Sequence, residues 1–62
     1  MDSVIQIEVL LNMINTMLAK AISGEKFEAA EKLQQMRKNI YYGDFIYSTV
    51  LESLIGMNAR LK

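Results

Sequence analysis

The sequence predicts an all-α fold: three short helices, over about 3–22, 25–42 and 44–61, as a small helical bundle or an intertwined helical dimer. Three observations predict it. Apolar residues recur at helical spacing through each of the three segments. Glycines stand at positions 24 and 43, where the periodic segments break. The chain of 62 residues is 52% hydrophobic and has no proline, so it is neither disordered in composition nor interrupted by a helix breaker. No repeat or linker-like segment divides it, and a single domain over 1–62 is expected.

Placing residues at about 100° intervals separates the faces of the first helix. Val4, Ile7, Leu10, Leu11, Met13, Ile14, Met17, Leu18, Ala21 and Ile22 fill an arc of roughly 180°, interrupted only by Gln6. The opposite side carries Glu8, Asn12, Asn15, Thr16 and Lys20, with Ile5 and Val9 among them. Ser23-Gly24 then marks the stop, glycine being the residue that takes a left-handed C-terminal cap without a Cβ penalty. The second helix has a thinner stripe of Phe27, Ala29, Ala30, Leu33, Met36, Ile40 and Tyr41, with Arg37 within its arc. Its alanines would let helix 1 approach closely, and Phe27 would pack back over the turn. Glu25, Glu28 and Glu31 suit the positive end of its dipole, and Arg37 and Lys38 the negative end. Gly43 is its expected cap, and Asp44 has the side chain to cap the third helix. That helix again offers a half-circle: Ile46, Tyr47, Val50, Leu51, Leu54, Ile55, Met57 and Leu61, with Asn58 inside it. Gly56 weakens its C-terminal half by about 1 kcal/mol against alanine.

A helix packed on one neighbour needs an apolar stripe little wider than about 100°. Helices 1 and 3 each offer nearly twice that, more than helix 2 can cover. A domain this small hides only about 60% of the surface its unfolded chain exposes, and the chain has no cysteine to staple it. The expected staple is another chain, as a homodimer or a larger protein partner. The candidate interface residues are Leu10, Leu11, Ile14, Met17 and Leu18 of helix 1, and Val50, Leu54 and Asn58 of helix 3. Tyr42 and Phe45 join them because both lie off the apolar stripes, whereas Tyr41 and Tyr47 lie on the stripes and are expected in the core. A lone amide such as Asn58 in an apolar seam can fix register by pairing with its symmetry mate.

One stretch reads two ways. Ile5-Gln6-Ile7-Glu8-Val9 alternates strictly and is rich in β-branched residues, a strand pattern. A strand before two helices resembles the ribbon-helix-helix repressors over about the first 42 residues. That resemblance implies a DNA-binding transcriptional regulator in which Gln6 and Glu8 face the bases. Continuity of the helical pattern from Val4 to Ile22 explains the same residues with fewer assumptions. The segment from Gly24 to Leu33 is similar in its glycine, aromatic and alanine spacing to tetratricopeptide repeats. It is also similar to the short helical hairpin of excision-repair nuclease subunits. It departs from both by one residue around Phe27, and names no family.

Chemistry has little to work with. There is no histidine, hence no imidazole base, and no cysteine for a thiolate nucleophile or ligand. No pair of carboxylates falls inside an apolar arc, and no glycine-rich phosphate loop is present. The chain is expected not to be an enzyme, with no catalytic residue, cofactor or metal. Seven Lys+Arg balance seven Asp+Glu, so nucleic acid is not an expected partner. The opening Met1-Asp2-Ser3 lacks the positive region of a signal peptide, and six polar residues interrupt Val4–Ile22. A cytoplasmic protein outside the membrane is therefore expected. Its function is expected to be that of a small regulator, adaptor or inhibitor acting by protein–protein contact.

Overall fold

A computed structural model describes residues 3–61 of the chain. The described residues form three α-helices: α1 (Ser3–Ser23), α2 (Phe27–Tyr41) and α3 (Tyr47–Arg60). The 5–9 stretch lies inside α1, so it is helix and not strand. A ribbon-helix-helix reading needs that strand and loses its premise here. Ile5 and Val9 are β-branched but lie off the apolar arc and are exposed; Ile7 alone lies on it, packs against the core and continues the 21-residue helix through the stretch.

α2 turns back against α1, and α3 returns beside it. Lys26 Nζ reaches the Arg60 carbonyl at 3.4 Å, which puts the C-terminal end of α3 at the α1–α2 turn. α3 therefore runs in the direction of α1. Both later helices pack on α1 and barely meet each other. The molecule measures 37 × 20 × 15 Å.

The core follows from this arrangement. α1 supplies Leu10, Ile14, Met17, Leu18 and Ala21; α2 supplies Ala30, Leu33 and Ile40; α3 supplies Leu54 and Met57. Among the described residues no buried position is polar or charged. With two neighbours, α1 uses most of its half-circle within one chain. α3 packs closely on α1 only and buries the middle of its stripe, leaving Ile46 and Ile55 in solvent. On α2, close packing at Ala30 leaves one edge of the stripe overhanging. Phe27 is 65% exposed and Tyr41 83%, so neither takes the core position that periodicity assigns it.

The helix ends around the turns depart from expectation by one to three residues. α1 runs through Ser23, and the left-handed residue is Glu25 (φ 58°) rather than Gly24. The Glu25 N–H bonds the Ile22 carbonyl at 3.1 Å, and the Lys26 N–H bonds the Ala21 carbonyl at 2.7 Å. That is the Schellman pattern, with Glu25 in the place glycine favours. Ala21 is wholly buried, so helix register places the cap here, one residue beyond the glycine. The second turn matches its sequence: Gly43 is left-handed (φ 78°), with bonds from Gly43 N–H to Ile40 and from Asp44 N–H to Asn39. Asp44 thereby closes α2 and does not cap α3. The α3 cap is Ile46, in extended geometry and with no side-chain hydrogen bond. Phe45 and Val50 occupy the N′ and N4 positions of a hydrophobic staple, and both pack against the core.

Candidate interaction surface

Half of the expected interface residues lie in the core of a single chain. Leu10, Ile14, Met17, Leu18 and Leu54 are buried, at 9% exposure or less. A side chain with no surface to offer cannot touch a second chain without unfolding its own, so these five hold the monomer fold. Phe45 and Val50 are half-buried in the α3 staple. Leu11 and Asn58 are half-buried at the rims of grooves, and Tyr42 is 73% exposed. The tyrosine expectations are partly exchanged. Tyr47 packs against the core as expected, but Tyr41 is on the surface, while Phe45 packs inward.

Two apolar faces remain. On one side of α1, a shallow groove brings Asn12, Met13, Thr16, Met17 and Lys20 beside Asn58 of α3. Ile55 lies one turn before Asn58, and Val9 and Ile5 lie one and two turns before Met13, so helical geometry continues this seam with exposed apolar residues. On the other side, Leu11 and Asn15 of α1 share a groove with Arg37, Lys38, Tyr41 and Tyr42 of α2. Arg37 Nη1 donates to Asn15 Oδ1 at 3.0 Å and ties the helices together across it. The Tyr41 and Tyr42 rings meet edge to face, with centroids 6.1 Å apart. Val4 lies two turns before Leu11 on the same line and is 66% exposed.

Sequence reasoning missed Tyr41 and Arg37 as surface features because it put both within the α2 stripe. The available signal was position: Tyr41 ends the helix, and Arg37, one turn earlier on the same edge, carries a charge the core would exclude.

Every described carboxylate is exposed, and among the described residues no three His, Cys, Asp or Glu side chains gather to hold a metal. By length and composition alone, Val4–Ser23 could cross a membrane. Within this chain 22% of that window is buried, at Leu10, Ile14, Met17 and their neighbours on the side facing α2 and α3. Compared with protein-family models, with curated proteins and with solved structures, the chain matches none.

Proposed function

We propose that the chain is a small non-enzymatic interaction module of the cytoplasm, a regulator, adaptor or inhibitor that acts by binding protein and that associates with itself. The observation that carries this reading is the apolar surface left after one chain has folded. Val4, Ile5, Val9 and Ile22 of α1, Tyr41 and Tyr42 at the end of α2, and Ile46 and Ile55 at α3 are all at least 40% exposed. Scattered hydrophobes are ordinary on any surface, but runs of them along two faces of one short molecule mark contact sites. The lack of imidazole and thiol, and of gathered acids among the described residues, supports a role without catalysis.

Sedimentation equilibrium over the micromolar range tests the reading. The expected result is a mass above 7.1 kDa that rises with concentration toward twice that value. A well-folded species of 7.1 kDa throughout would reject self-association. The module would then need a larger partner, sought by co-purification with the full chain.

A further inference from the structure

Resting on the self-association just proposed, we propose that the chain pairs with a second copy of itself through the face where α1 meets α2, across a twofold axis passing near Tyr41 and Tyr42. The argument is the order of charges on that face. Glu8 and Asn15 stand where the polar side of α1 borders its apolar arc, next to Val4 and Leu11, at spacings of four, three and four residues along the helix. Arg37 is held over Asn15 by its 3.0 Å hydrogen bond. Asn15 is seven residues beyond Glu8, about 10 Å along the axis at 1.5 Å per residue. α2 runs against α1, so Tyr41, one turn beyond Arg37, falls between the two charges and beside Leu11. Read along α1, the face is negative, aromatic, positive.

A twofold axis through the middle of such a face makes it complementary to itself. The tyrosine pair meets its own copy, Glu8 of each chain meets Arg37 and Lys38 of the other, and the same contact occurs twice, as an isologous interface requires. The residue types agree, since tyrosine and arginine are enriched where interfaces bind most strongly. A stable interface takes about 800 Å² from each partner, a minor share of the 4572 Å² the chain exposes. The α1–α3 seam, with Lys20 in its groove and Ile55 exposed one turn before Asn58, is the competing face, and the test separates the two.

The test is a charge exchange. Glu8→Lys in one preparation and Arg37→Glu with Lys38→Glu in another each place like charges in contact at both ends of the homodimer. Each variant alone is expected to self-associate at least about tenfold more weakly than the natural chain. Mixed, they are expected to form a one-to-one dimer, because every contact between them is again between opposite charges. All three positions are exposed, so far-ultraviolet circular dichroism should show unchanged helix content. A variant that had simply unfolded would not be rescued by another. If the natural chain dimerises but both variants dimerise equally well, or mixing restores nothing, this face is not the interface and self-association stands. Loss of the dimer in Ile55→Glu, with the charge variants unaffected, would assign it to the α1–α3 seam. A natural chain monomeric at every concentration would overturn both readings.

Discussion

Leu54 and Ile55 are neighbours in sequence with opposite surroundings. Leu54 is wholly buried against α1, while Ile55 is 58% exposed. Leu54→Ala should cost about 2–5 kcal/mol, from lost burial and the cavity left behind. A domain of this length has only about 3–9 kcal/mol in total, so that variant should be largely unfolded in a urea titration. Ile55→Ala should change the monomer's stability by about 0.5 kcal/mol or less. Glu25 and Gly43 form a second contrast, since both are left-handed caps and only one is glycine. A side chain in that conformation costs about 1–2 kcal/mol. Glu25→Gly should therefore stabilise the fold by roughly 0.5–1 kcal/mol, after allowing for the extra freedom glycine gives the unfolded chain. Gly43→Ala should destabilise it by about 1 kcal/mol, with nothing within 4 Å to blame but the backbone. Thermal unfolding midpoints moving in opposite directions would check the pair.

Among the elements, α3 is the least secured. It packs chiefly on α1, starts on an isoleucine cap and carries Gly56 in its interior. Ile46 already has the extended geometry of a capping residue (φ −117°, ψ 122°) and is 67% exposed. Ile46→Asp should gain about 1 kcal/mol, by accepting a bond from an unpaired N–H of the first turn. Gly56→Ala should add about 1 kcal/mol more, because a Cβ there meets open space. The two sites are ten residues apart on one helix, so their effects should add. Amide hydrogen exchange would show the gain as slower exchange through α3. Most of this element was legible in the sequence, including its stripe and the Gly56 weakness. Its start was not, because Asp44 has the right side chain for a cap and stands two residues too early. The Schellman bond from Asp44 to Asn39 takes that residue for the end of α2.

At the scale of the whole molecule, the proposed self-association couples folding to concentration. A second copy that binds only the folded chain raises the unfolding midpoint with protein concentration. The expected outcome is a midpoint that climbs across the micromolar range, and a midpoint constant with concentration would count against the dimer. Sequence alone determined that the chain is helical, where its helices roughly run, and which arcs are apolar. Periodicity and glycine placement are local properties, and they suffice for that. Only the tertiary structure decided which apolar residues the chain buries for itself. Two helices of equal apolar width meet different fates, because α1 packs closely against both others and α3 closely against α1 only. The expected surplus of α1 therefore shrinks to its N-terminal turns and its edges, and five expected interface residues become core. Tyr41 and Phe45 exchange places for the same reason: burial depends on where the neighbouring helix lies, which no arc drawn on a single helix contains.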